Sequence, residues 1–238
     1  EQGNINYKDS KLKLSGTMID QNLNFNFSSS GLVWEDINFT DKLKELVGSA
    51  EVEGSVYGTL DSPKLAARFN TSEIEFSNNI IGDVTGRIDY KNNNLYLTDI
   101  KVQNQANKYQ LSGSLNLAEN KIKQVNVEVT KGTLAYLNQF LPYPLEISYQ
   151  FSGQIEAKGD LTQPQFDIEL VIEDNDGNGK LEVTGDYLWL EDSDLEVVAT
   201  KFNLDVLNKF DLIPYSLNGN LNLTGRVTGK LTEPNFKS

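Results

Sequence analysis

The stretch ISYQFSGQIEAKGDL, from Ile147 to Leu161, decides how this chain reads. Ile147, Tyr149, Phe151, Gly153, Ile155, Ala157, Gly159 and Leu161 fall on one side of an extended backbone. Ser148, Gln150, Ser152, Gln154, Glu156, Lys158 and Asp160 fall on the other. A period of two is the signature of a strand with one apolar face.

The same alternation runs through the rest of the chain. Leu12 and Leu14 alternate with lysines, and Leu23, Phe25 and Phe27 with asparagines. Leu111, Gly113, Leu115 and Leu117 follow, then Val125, Val127 and Val129, then Phe166, Ile168, Leu170 and Ile172, then Leu195, Val197 and Ala199. Turn-forming runs such as Lys91 to Asn94 and Asn175 to Gly179 punctuate them. The pattern predicts a mainly β, mostly antiparallel protein. Three stretches instead carry helical spacing: Thr40 to Val47, Thr133 to Leu141 and Asn203 to Phe210. Each opens on a residue suited to an N-cap, and Pro142 and Pro214 close two of them. Helices this short need a sheet to pack on.

An internal repeat organises these elements. Gly-x-Leu-x-x-Pro occurs at Gly58 to Pro63, Gly159 to Pro164 and Gly229 to Pro234, each time behind a long alternating strand. Upstream stand Leu12 to Gly16, Tyr109 to Gly113 and Leu181 to Gly185, which share a pattern ending in Ser-Gly or Thr-Gly. From Gly16 to Pro63, Gly113 to Pro164 and Gly185 to Pro234 the separations are 47, 51 and 49 residues. The expected organisation is repeat one over 1–70, inserted strands over 71–108, repeat two over 109–178 and repeat three over 179–238. Glycine recurs on the apolar side of the long strands, where it weakens a strand unless it permits a bend or close approach. Long strands bent at such glycines predict a sheet that curls its apolar face inward into a trough.

Composition excludes much else. With no histidine and no cysteine among 238 residues, Ser–His–Asp and Cys–His catalysis and thiolate metal sites are ruled out. A net charge of −13, with the basic residues scattered singly, opposes binding to nucleic acid. No apolar run is long enough to span a bilayer, and the first residues lack the features of a signal peptide, so any export or anchoring segment is expected outside this chain. Asp174 to Gly179 fits the opening of a calcium loop, but its twelfth position is Gly185 where a glutamate belongs, which favours a polar hairpin turn. Carboxylates fall on the solvated side of alternating strands, and Trp34 and Trp189 read as core. No enzymatic activity, metal or cofactor is expected.

The succession of short helix, Leu-Pro, long Gly-rich alternating strand and Gly-x-Leu-x-x-Pro resembles the central repeats of the TamB family and its AsmA-like relatives. Thr133 to Pro164 and Asn203 to Pro234 carry the likeness, with a looser match from Thr40 to Pro63. The resemblance implies an elongated, taco-like apolar β-groove in the periplasm, within a protein held at the inner membrane by a segment outside this chain. It implies bridge-like transport of phospholipid toward the outer membrane, and partnership with an outer-membrane barrel-assembly protein of the TamA or BamA type through other regions. It brings no catalytic residues. The lipid-binding positions are then Val52, Val56, Leu60, Ile147, Tyr149, Phe151, Ile155, Leu161, Leu217, Leu221, Leu223, Val227 and Leu231, each equally suited to an ordinary core. The alternative role is a scaffold that offers strand edges to outer-membrane β-barrel proteins by β-augmentation.

Overall fold

The computed structural model describes residues 2–7, 10–36, 45–77, 79–105, 107–137, 149–174, 177–189, 191–205, 218–230 and 235–237. Fifteen strands account for most of them. These are β1 (Gln2–Tyr7), β2 (Ser10–Ile19), β3 (Asn22–Val33), β4 (Leu46–Thr59), β5 (Ser62–Phe76), β6 (Asn79–Lys91), β7 (Asn94–Asn104) and β8 (Asn107–Asn116). They continue with β9 (Lys121–Thr133), β10 (Tyr149–Asp160), β11 (Pro164–Asp174), β12 (Lys180–Leu188), β13 (Ser193–Asn203), β14 (Asn220–Gly229) and β15 (Asn235–Lys237). The hydrogen-bonded order follows the chain from β1 to β15, and the resolved pairings are antiparallel. The fold class expected from the alternation is therefore the one observed. The chain divides into two compact units, Glu1–Gln105 with Gln110–Lys123, and Ala106–Tyr109 with Gln124–Ser238.

The Gly-x-Leu-x-x-Pro repeat is a hairpin corner. In the first copy Gly58 faces Pro63 across the β4–β5 pair, and in the second Gly159 faces Pro164 across β10–β11. Gly58, Gly159 and Gly229 have φ of 99°, 97° and 87°, a region that a Cβ disfavours, so each copy needs its glycine. Beyond Gly229 and Lys230, positions 231–234 of the third copy lie outside the described residues. Neighbouring corners are clipped together. Leu60 N donates to Gln21 O at 3.0 Å, Leu117 N to Asn93 O at 2.8 Å and Trp189 N to Pro164 O at 3.0 Å, each joining one hairpin tip to the preceding one.

Strict alternation fails at several places, and at three of them the failure takes one form. Ladder register shifts between Thr71 and Ile74 on β5 and between Ala199 and Phe202 on β13. Glu73, Asp99 and Lys201 adopt φ of 52°, 49° and 48° inside strands. They sit in the matching stretches Ser72-Glu73-Ile74, Thr98-Asp99-Ile100 and Thr200-Lys201-Phe202. Each bulge inserts a residue, so apolar side chains three apart return to one face. Thr71 and Ile74 are both buried as a result. The Thr71 hydroxyl is satisfied there: it donates to Val84 O at 2.9 Å and accepts from Val84 N at 3.0 Å.

The predicted helices are only partly within view. Leu134–Leu137 forms α1, with Thr133 Oγ1 accepting from Tyr136 N at 3.2 Å as an N-cap does. Asn203 Oδ1 likewise accepts from Asp205 N at 2.9 Å. Residues 138–141 and 206–210 of these two predicted helices lie outside the described residues. Of the first predicted helix, 40–44 lie outside as well, and its end is corrected. Leu46 and Val47 begin β4, where Phe76 and Glu75 pair with them and the ladder supplies their backbone hydrogen bonds.

The bulge geometry makes a reversal of preference testable. At Lys201, Gly should leave the protein more stable than Val by about 1 kcal/mol, because a β-branched residue resists the left-handed region. At Glu196, an ordinary exposed position on the same strand, Val should be the better replacement. Urea unfolding midpoints of the four variants decide it; the same order at both sites would remove the bulge from the account.

Candidate functional site: the apolar face

Register places the alternating apolar residues in rows that run across neighbouring strands. In the second unit, one row joins Ile155, Ile168, Gly185, Leu195, Val227 and Phe236. The next joins Gly153, Leu170, Val183, Val197 and Gly225, and a third joins Phe151, Ile172, Leu181, Ala199 and Leu223. No polar side chain interrupts these three rows. In the first unit, Leu14, Phe27, Gly54, Ala67, Ile88 and Leu97 form one such row, and Phe25, Val56, Leu65, Tyr90 and Leu95 another.

Nothing described stacks a second sheet on these faces. Within each unit, extensive contacts run between strands consecutive in the chain, joined among the described residues by the turn Trp34–Asp36 on β4 and by α1 on β10. Many apolar side chains of this single layer therefore stay partly exposed, while Phe151, Leu195 and Ala199 in these rows are buried. Val52, Val56, Ile155, Leu221 and Val227, all placed on the lining from sequence, are half-buried, and Leu223 is exposed.

Four of the predicted lining positions stand elsewhere than on the open stretch of a strand. Leu60 and Leu161 do not stand on strands, because β4 ends at Thr59 and β10 at Asp160. They occupy the hairpin corners, 54% and 38% exposed. Tyr149 and Phe151 are each only 8% exposed and belong to packed ring clusters. Ile147, Leu217 and Leu231 lie outside the described residues.

Those clusters show how the face curves in the second unit. The Tyr149 ring, on β10, lies 5.6 Å from the Phe202 ring on β13, three strands away. Strands spaced about 4.8 Å apart would separate their backbones by about 14 Å in a flat sheet, so the two rings meet only by leaning over the apolar face. Phe151 lies 6.4 Å from Tyr109 on β8, which in turn lies 5.8 Å from Tyr136 on α1. Gly132 makes room for this ring: a Cβ there would stand 2.4 Å from Phe151 Cζ. Asn107 closes the same region, its Oδ1 accepting from Thr133 N at 2.8 Å and Thr133 Oγ1 at 3.1 Å. Burial pushes the Tyr109 hydroxyl up to about 12, with nearby Tyr136 adding to it, and burial also raises Tyr136 and Tyr149.

A different ring group stands at the other end of these strands. Phe166 and Tyr187, cross-strand partners, stack with centroids 6.1 Å apart. Trp189 meets both edge-on at 6.2 Å and is 44% exposed. Sequence reasoning takes Trp189 for core; it follows β12 in a turn, where the strand no longer buries it. Trp34 is half-buried.

The polar face of the first unit holds an open depression of about 900 Å³. Register gives it Asn4, Lys13, Ser28, Glu53, Arg68 and Arg87 in one row. Its charges are mixed, and Arg87 is already held by Asp89 through two 2.7 Å bonds. It offers a solvated surface rather than a concentrated charge. At Asp174 the carboxylate accepts from Asn178 N at 2.8 Å and Gly179 N at 2.9 Å, as in a hairpin turn. Among the described residues, no cluster of acidic side chains could hold a metal ion. Comparison with protein-family models, with curated proteins and with solved structures finds no match.

Two measurements follow from the ring cluster. Gly132→Ala should cost about 1–3 kcal/mol by overpacking, and Phe151→Leu in the same chain should recover part of that loss in a double-mutant cycle. The raised Tyr109 hydroxyl contributes stability that is complete below about pH 10 and is lost as the pH climbs through about 12. Tyr109→Phe should therefore flatten the alkaline fall in unfolding midpoint over that window; an unchanged fall would place its origin elsewhere.

Proposed function

We propose that the apolar face carries phospholipid acyl chains, and that the chain is a periplasmic segment of a TamB-like bridge between inner and outer membranes. One observation carries this: three adjacent rows across β10 to β14 hold only apolar residues and glycine, with no second sheet over them among the described residues. The partly exposed side chains of these rows, Ile168, Leu170, Val183, Val197 and Leu223 among them, form a surface that a ligand with long hydrocarbon chains would bury. Each CH₂ removed from water contributes about 0.8 kcal/mol, without direction, so a bound chain is held and still slides. Polar anchors along the path would trap it.

The competing scaffold role needs unpaired strand edges. In the strand order, β2 to β14 each have a neighbour on both sides, which favours the face over the edges as the working surface. Barrel-assembly partners, if they bind, would do so through regions outside this chain.

Val183→Asp with Val197→Asp tests the proposal, because both residues are half-buried in the central row and face each other. Phospholipid should be found on the original chain by native mass spectrometry and be lost from this variant. It should persist in a polar-face control, Glu182→Lys with Glu196→Lys. Circular dichroism must show all three folded as β. A chain that carries no lipid from a lipid-rich host, yet crosslinks to unfolded barrel proteins, would transfer the proposal to the scaffold.

A further inference from the structure

The apolar face of the second unit has unlike margins. Toward the α1 end, rings pack in two sets, Tyr149 on Phe202 and Tyr109 on both Phe151 and Tyr136, and Tyr149 and Phe151 are buried. Asn107 and the α1 cap tie that end down. Toward the hairpin end, Phe166 and Tyr187 carry the apolar face to the end of the β11–β12 ladder, Trp189 stands just past it, and Leu161 is exposed on the neighbouring corner. The clip from Trp189 N to Pro164 O holds these two corners together. An exposed tryptophan on a turn loses apolar burial that a core position would give it, and an amphipathic ring of this kind suits a boundary between hydrocarbon and water.

Charge narrows the occupant. By sequence the second unit has 18 acidic and 9 basic residues, which makes it the more negative of the two. At the turns of this margin stand Asp160, which accepts from Thr162, Glu191 and Asp192, with Lys158 and Lys230 beside them. Asp167, Asp186 and Asp194 lie on the polar face behind it, where Arg226 pairs with Asp194 and Lys237 stands across from Arg226. Glu191 is held on the lip, its Oε1 accepting from Gln163 Nε2 at 3.1 Å. Such a lip repels a headgroup with net negative charge and attracts an ammonium group, which can also rest on the aromatic faces.

From this we infer that acyl chains enter and leave the second unit across the hairpin margin at Trp189, and that the lip favours phospholipids whose headgroup carries an ammonium over purely anionic ones. The inference rests on the acyl-carrying role proposed above. The packed rings shut the opposite margin between β10 and β13, so exchange there would require them to part.

Tryptophan fluorescence tests it on the full chain. The sequence has two tryptophans. Trp34→Phe leaves Trp189 as the sole indole, and the Trp34 Nε1 it removes makes no hydrogen bond among the described residues. The protein is mixed with vesicles of phosphatidylcholine brominated on its acyl chains, with unbrominated vesicles as reference and native mass spectrometry to count bound lipid. Loss of Trp189 emission only with the brominated lipid, at matched lipid binding, is the expected result. Brominated phosphatidylglycerol should give several-fold weaker uptake at low salt, and the gap should narrow as salt screens the lip. Lipid bound by mass with Trp189 emission unchanged would place the entrance elsewhere. Equal uptake of both lipids would remove the headgroup preference. No lipid bound by mass in any preparation would overturn the acyl-carrying role itself, and this inference with it.

Discussion

Cross-strand pairing within one layer is the constraint on which the rest depends. A sandwich hides its apolar residues between two sheets, but here each side chain must find cover from partners on the adjoining strands. Large rings therefore stand beside glycines. Phe27 reaches within 2.6 Å of where a Cβ on Gly54 would be, and Phe151 occupies the space over Gly132. The glycines give up side-chain contacts so that the neighbouring ring can lie flat on the backbone. What this cannot cover stays exposed, and that remainder is the surface available to a ligand.

The bulges solve a second problem of the same layer. A strand that alternates without interruption keeps its direction and its faces, and it has no means of turning the sheet. An extra residue at Glu73, Asp99 or Lys201 increases the local twist and returns the following Ile or Phe to the apolar side. Phe202 reaches Tyr149 because of it: it lies three residues beyond Ala199, which simple alternation would place on the opposite face. Curvature toward the apolar side is thus written into single residues rather than spread evenly along the strands.

Strand identity is legible because burial on one face imposes a period of two, and the hairpin corners are legible because positive φ demands glycine. Leu60 and Leu161 read as strand residues since their spacing continues the alternation into the corner, where no ladder partner remains. Tyr149 and Phe151 read as lining because periodicity reports a face and says nothing of how far a ring is covered by residues far along the chain, such as Tyr109. The bulges escape a reading by alternation although a signal exists: Ser or Thr, then a charged residue, then Ile or Phe, interrupting the pattern three times. Trp189 cannot be assigned to an exposed corner from its neighbours alone, since its burial depends on where β12 ends.

The clips between hairpin tips bear on a hazard peculiar to meanders. Strands with repetitive alternation can slide by two residues and still match apolar to apolar, so side-chain pattern alone leaves the register degenerate in even steps. The bonds from Leu60, Leu117 and Trp189 to the preceding corners recognise backbone positions, and a slip of two residues would pull donor and acceptor apart. They act as a vernier: each ties a pair of hairpins to one alignment, so an error in one corner is checked against the next instead of accumulating from strand to strand.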